Sequence, residues 1–336
     1  MKKLFFSLVA ATMAATASFA QNTLVATLSH GEDISMYYGT YALRDAMNAA
    51  QSGDVINLSG GAFQAVNITK AVTLRGTGID DAAPTYISGN FTIYVPTDDA
   101  NRLSIEGVRS TGSITMTGTF NSPYFVKSQF TSFSYNNSST IKNAQFADCR
   151  VSSGFTLRGS STVQFINSFV DAFDNRDAEA TTAASFVNCI LRPYQLGYNP
   201  EYIKSSQLFN CIIYQTYGSG EIGYKLPSSS IASNCVSVGY SHLFSNQAAS
   251  TGNKKATFTQ LFKNFTGSYS ESQQFELTDE AKTTYLGTDG TEVGMHGGVL
   301  PYDSTPSYPQ ITKMNVANKT TADGKLSVEI EVNAAE

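Results

Sequence analysis

Tryptophan is absent from the sequence, histidine occurs three times, and charged residues make up 15% against the roughly one quarter usual for soluble domains. Each scarcity closes off some chemistry. His30, His242 and His296 are scattered, so they offer no zinc-ligand spacing. Acidic residues outnumber basic ones, 27 to 22, which disfavours phosphate backbones and anionic lipid and excludes nucleic acid as a partner. Beyond the first twenty residues no stretch approaches the roughly 18 apolar residues that a membrane-spanning helix needs. No Ser, His and Asp arrangement and no phosphate-cradling glycine loop stands out. No cofactor and no resident metal are expected.

The one long apolar run is at the start. Lys2 and Lys3 precede Leu4 to Ala17, and Ser18, Phe19 and Ala20 put small residues where a signal peptidase reads. Residues 1–20 are thus expected to be a removable signal peptide, leaving 20 basic and 27 acidic side chains and a net charge near −7. No cysteine follows closely enough to take a lipid. The expected destination is secreted, periplasmic or cell surface.

Glycine, serine, threonine, asparagine and 12% aromatics fill the remaining space, a composition of short strands and turns. A repeat organises them. Phe146 to Cys149, Phe186 to Cys189, Leu208 to Cys211 and Ala232 to Cys235 share one register, with Phe165 to Ser168 between the first two. The spacing is close to 21 residues, and stepping back reaches Ser128 and Gly107. The row three before the cysteine is apolar (Phe125, Phe146, Phe165, Phe186, Leu208), as is the row two after it (Phe130, Val151, Val170, Leu191, Ile213). The residue just before the cysteine is Asn167, Asn188 and Asn210 in successive repeats; asparagine tolerates the left-handed backbone of a sharp corner. One coil of a β-solenoid per repeat accounts for all three rows, with neighbouring coils about 4.8 Å apart. Cysteines stacked in register run parallel, too far apart at Cβ for a good bridge, so buried free thiols are expected, with a Cys189 to Cys211 disulfide as the alternative.

Upstream, Thr40 precedes a stretch with Leu43, Met47 and Ala50 on one helical face and Gly53 as its stop. Then come Gly53 to Leu58 and the Lys70 to Gly78 coil, Lys-Ala-Val-Thr-Leu-Arg-Gly-Thr-Gly. This opening resembles that of right-handed parallel β-helix proteins of the pectin-lyase-like superfamily. Gly287 to Gly298 likewise resembles the closing coil of secreted bacterial members. The expected fold is therefore an all-β, right-handed parallel β-helix with an N-terminal capping helix, in residues 21–302. Residues 303–336 are expected to hold a linker and a short β-hairpin, since Leu326, Val328, Ile330 and Val332 alternate with polar residues. Its expected seat is the solenoid's own C-terminal edge, or else another protein.

Chemistry is harder to locate. The hydrolase pattern of the superfamily is met only by fragments: Asp80 and Asp81, Asp98 and Asp99, and His296 with Gly297. Asp171, Asp174, Asp177 and Glu179 lack the turn glycine and spacing of a calcium loop and read as a solvated acidic loop. Residues 171–183, 192–205 and 214–230 all follow the same inward row, so these loops should share one side. Arg192, Tyr194, Tyr198, Tyr202, Lys204, Tyr214, Tyr217, Tyr224 and Lys225 are the candidate ligand-binding residues there, flat rings with polar handles suited to sugar stacking. The leading expectation is a noncatalytic β-helix that recognises extracellular glycan or a surface protein through these loops. A divergent polysaccharide lyase or glycoside hydrolase is the alternative, and a structural assembly component acting through the tail strand is the third.

Overall fold

The computed structural model describes residues 24–80, 82–95, 100–136, 138–194, 200–216, 224–245, 251–316, 319–321 and 323–333. The chain winds into a parallel β-solenoid of about 8 turns. Two eleven-stranded sheets form its walls. The first carries the strands that precede each cysteine or serine, from Val55–Leu58 through Ala144–Ala147 and Val163–Ile166 to Ile231–Ser233. The second carries those that follow, among them Val108–Met116, Gln129–Tyr135, Arg150–Gly159 and Phe169–Ala178.

The repeat rows stack as read. Phe125, Phe146, Phe165, Phe186 and Leu208 face one another from coil to coil and are wholly buried. Successive rings stack with centroids 4.5, 5.0 and 5.1 Å apart, contacts worth about 0.5–1.5 kcal/mol each beyond their burial. Between the sheets the chain turns through a left-handed residue: Lys127 (φ 49°), Asp148 (φ 53°), Asn167 (φ 46°), Asn188 (φ 51°), Asn210 (φ 57°) and Asn234 (φ 50°). Gly107 (φ 68°) belongs to this corner row, not to the cysteine row as the 21-residue step predicts. That coil is one residue shorter, and Val108 stands opposite Ser128 in its place.

The cysteines are free and buried. They do more than fill space. Each thiol donates to the carbonyl two residues back, as Cys149 Sγ to Ala147 O (3.2 Å) and Cys211 Sγ to Phe209 O (3.1 Å). Cys235 Sγ also accepts from the preceding coil, from the Cys211 N–H (3.4 Å). Ser168 makes the same pair of bonds with its hydroxyl, donating to Ile166 O (2.7 Å) and accepting from Cys149 N–H (3.0 Å). Serine and cysteine interchange in this row because both satisfy the corner backbone while taking little volume.

At the N-terminal end the helix Ala42–Ala49 buries Ala42, Leu43, Ala46 and Met47 against the core. Its last carbonyls are closed by Lys70, whose Nζ donates to Met47 O, Asn48 O and Ala50 O at 2.9, 3.0 and 2.5 Å. The helix caps this end of the core, and the sheet edge beside it is extended by further strands. A hairpin, Val25–His30 with Asp33–Tyr38, adds to that edge antiparallel, and Asp33–Tyr38 becomes the outermost strand.

The segment expected to close the solenoid as a last coil does something else. From residue 257 onward it crosses the outer face of the second sheet and returns along the corner row. Leu261, Phe262, Phe265, Phe275, Leu277 and Met295 cover Phe169, Ile190, Ile212, Tyr214, Val236 and Val238 as a second apolar cluster. Asn234 Nδ2 donates to Leu286 O (3.1 Å), Asn210 Oδ1 accepts from Thr288 N–H (2.9 Å), and Asn167 Nδ2 donates to Met295 O and Gly297 O (2.8 Å each). Lys127 then pairs with Asp303 (2.6 Å), Glu106 accepts from Ser307 N–H (2.6 Å), and Arg75 lies over the ring of Tyr308. Backbone groups of this segment bonded to the side-chain amides of the corner asparagines make it a backbone-to-corner strap. The tail follows as a hairpin, Gln310–Val316 with Val328–Asn333. Among the described residues no strand of either sheet pairs with it. The seat expected at the C-terminal edge is not used, because the strap has already carried the chain back to the N-terminal coils.

Candidate functional site

Two places gather side chains with chemistry. The first lies on the outer face of the second sheet. Tyr86, Arg109, Gln129 and Arg150 stack there in register, and Asp80 and Glu271 close over them. Arg150 is fully buried and forks onto Asp80 (3.2 Å), and its NH1 also donates to Glu271 O (3.1 Å); Tyr302 lies across its guanidinium plane. Arg109 reaches Glu271 (3.0 Å), Asp80 (3.8 Å) and the Ile79 carbonyl. Carboxylates and arginines converge here, yet each neutralises the other. Glu271 belongs to the segment crossing this face, so the cluster works as an ionic latch that holds it down. Asp80, one of the fragments of the hydrolase pattern in the sequence, is its centre.

The second place is a groove of about 300 Å³ on the outer face of the first sheet, lined by Asn143, Gln145, Thr162, Val163, Gln164, Thr182, Ala184 and Ser185. Gln145, Gln164 and Ser185 are register partners in three adjacent coils, with Gln207 next in the row. Strand alternation turns this row outward because Phe146, Phe165 and Phe186 beside it point in. Towards the N-terminus the row continues with Tyr124, over whose ring Arg102 lies at 4.4 Å while donating to Gln145 Oε1 (2.8 Å). Thr162 Oγ1 accepts from Asn143 N–H (2.8 Å), fixing the left-handed Asn143 (φ 55°) at the rim. The lining is amide, hydroxyl and aliphatic, with no ionisable group. It can donate to and accept from hydroxyls.

No family profile and no curated protein matches the chain. Among solved structures, one titled "Crystal structure of pectate lyase Pel9A" aligns over 78% of this chain and 90% of that one, at 16% identity and a TM-score of 0.40. The parallel β-solenoid itself is the architecture that the sequence resemblance implies.

The loop residues singled out in the sequence do not gather on one exposed face. Tyr202, Tyr214 and Tyr224 are buried. Tyr214 stands under Phe258 and Phe265, its ring 5.9 and 5.2 Å from theirs, because the segment from residue 257 covers this part of the second sheet. Tyr202 takes Arg176 over its ring, and Arg176 NH1 donates to its hydroxyl (2.9 Å). Tyr194 is partly exposed and meets Tyr202 edge to face at 5.5 Å. Arg192 holds Asp171 (2.5 Å), which also accepts from the Tyr214 hydroxyl (3.4 Å). Lys204 is half-buried and Lys225 exposed. Tyr198 and Tyr217 lie outside the described residues, as do Asp81, Asp98 and Asp99.

The acidic stretch is a correction too. Asp171, Asp174 and Asp177 are not in a solvated loop but in the strand Phe169–Ala178. Their partners are Arg192, Arg176 and Arg158 respectively, while Glu179 accepts from Ser160 Oγ (3.3 Å). Two of those arginines sit on the neighbouring strands, about one coil away in sequence, which is why a reading of local spacing misses them. Among the described residues no three His, Cys, Asp or Glu side chains come together as a metal site.

Proposed function

We propose that this protein is an exported, noncatalytic β-helix that recognises an uncharged extracellular polysaccharide through the groove over Gln145, Gln164 and Ser185. The observation that carries the reading is the lining itself: side-chain amides and hydroxyls repeated from coil to coil, without a carboxylate or a base. Such groups suit the hydroxyls of a neutral sugar, each hydrogen bond adding little alone and fixing orientation together. The amides of Asn143 and Gln164 have no protein partner among the described residues, so they are available to a ligand. A row repeated every ~4.8 Å along the axis favours an extended chain over a single sugar.

The test is binding to immobilised neutral and uronate polysaccharides, with Gln164→Ala and the pair Gln145→Ala, Gln164→Ala. Neutral polymers should be retained, the single variant weakening binding about fivefold, near 1 kcal/mol, and the double variant more. Equal binding by wild type and double variant would move recognition elsewhere. Unsaturated product from a uronate polymer would overturn the noncatalytic reading.

A further inference from the structure

The outermost strand of the first sheet, Asp33–Tyr38, is unprotected. Long sheet edges are usually blunted by lysine, proline, a bulge or a covering segment. Asp33–Tyr38 contains neither lysine nor proline, its pairing with Val25–His30 runs without a register shift, and among the described residues nothing pairs with its outer side. Its side chains make the exposure stranger. Ile34, Met36 and Tyr38 share the outward face at 68%, 54% and 61% exposure, while Tyr37 packs towards the core.

The backbone pattern says which groups are available. Gly39 N–H bonds Leu24 O (2.8 Å), and Gly39 faces Leu24 in the register that continues as Tyr38 with Val25. In an antiparallel pair, bonded and non-bonded residues alternate. Residues 33, 35, 37 and 39 therefore spend their N–H and C=O groups on the inner neighbour, and those of Ile34, Met36 and Tyr38 point out. The same three residues carry both the free hydrogen-bonding groups and the exposed apolar side chains.

We propose that this edge pairs with the same edge of a second copy, antiparallel about a two-fold axis that passes between the two Met36 residues. That register is self-complementary. Met36 meets Met36 of the second copy, and Ile34 meets Tyr38 in both directions, an aromatic and β-branched pair of the kind that stabilises sheets. Asp33 falls opposite Gly39, so no like charges face each other. The tail strand Val328–Asn333 fits less well, because Glu329 and Glu331 would approach Glu32 and Asp33. A two-fold of this kind keeps the outer faces of both first sheets on one side of the dimer. The contact is a six-residue strand pair, well below the size of an obligate interface, so the dimer is reversible.

Sedimentation of the purified protein over a wide concentration range should show monomer converting to dimer. Ile34→Lys should hold it monomeric without changing its thermal unfolding, since the side chain is exposed. Met36→Cys should give a covalent dimer on mild oxidation, its Cα atoms falling about 5.5 Å apart across the axis. Asp33→Cys, opposite a glycine, should not. A monomer at every concentration overturns the proposal, as does a dimer that survives Ile34→Lys. Loss of the dimer in Ile330→Lys but not in Ile34→Lys would make the tail strand the occupant and overturn it too.

Discussion

Asn167 donates both hydrogens of its side-chain amide, at 2.8 Å each, to the carbonyls of Met295 and Gly297, 128 and 130 residues further along the chain. The same residue holds the left-handed corner of its coil. One side chain thus serves both local turn geometry and a long-range contact of the strap. The two roles can be separated: Asn167→Gly keeps the corner and loses both bonds, costing about 2 kcal/mol. Asn167→Ala should lose roughly 1 kcal/mol more through the left-handed backbone. Thermal unfolding of the two variants checks the order, and a glycine variant as stable as wild type would remove the strap's role.

Arg150 is expected to be the least replaceable charge. Arg150→Met leaves Asp80 with only the longer contact to Arg109 and should cost about 3 kcal/mol. Arg150→Lys should not restore it, because a lysine cannot fork onto both oxygens of Asp80 while bonding Glu271 O. Denaturant unfolding measures both. Proteolysis within residues 257–276 should rise in parallel as the latch opens.

Asp148 is the one corner residue whose charge works against the fold. Burial pushes its carboxyl up to about 6, with Lys127 pulling the other way. An acid whose folded pKa lies above its unfolded value favours the native state when protonated, so stability should fall as pH rises from about 4 to about 6 and be level above that. Asp148→Asn puts into this coil the residue that the next four coils use. It should stabilise the protein at pH 7 to 8, with the gain vanishing below pH 4. Melting curves across that range decide, and a gain that grows in acid would reverse the assignment.

The four cysteines should be silent towards thiol reagents in the native state. All are fully buried, and burial drives the thiols of Cys149, Cys211 and Cys235 well above their ordinary pKa. A thiol titration should count none before unfolding and four after it, with or without prior reductant. Rapid modification of any one in the folded protein would contradict the register of its coil.

The stacked rows were legible because stacking makes them repeat: Phe146, Phe165 and Phe186 must be alike since each packs on the last. Corner asparagines were legible for the same reason. What could not be read was whatever the return of the chain decides. Tyr214 has the alternation of an exposed strand residue and is buried only because Phe258 and Phe265 arrive later. Asp171 looks solvated until Arg192 is set beside it on the next coil. The groove has its own signal in the sequence: Gln145, Gln164 and Gln207 stand four residues before Cys149, Ser168 and Cys211, a polar row as regular as the apolar ones.

A solenoid whose coils touch only their neighbours is free to fray from either end, one rung at a time. The strap removes that freedom. It joins Asn234 near one end to Glu106 and Arg75 near the other, so no terminal coil can leave without releasing contacts along the whole stack. Unfolding should then be a single concerted event with a high barrier. The chain must also complete nearly every coil before the strap can close, which implies slow maturation from a largely assembled but unlocked intermediate.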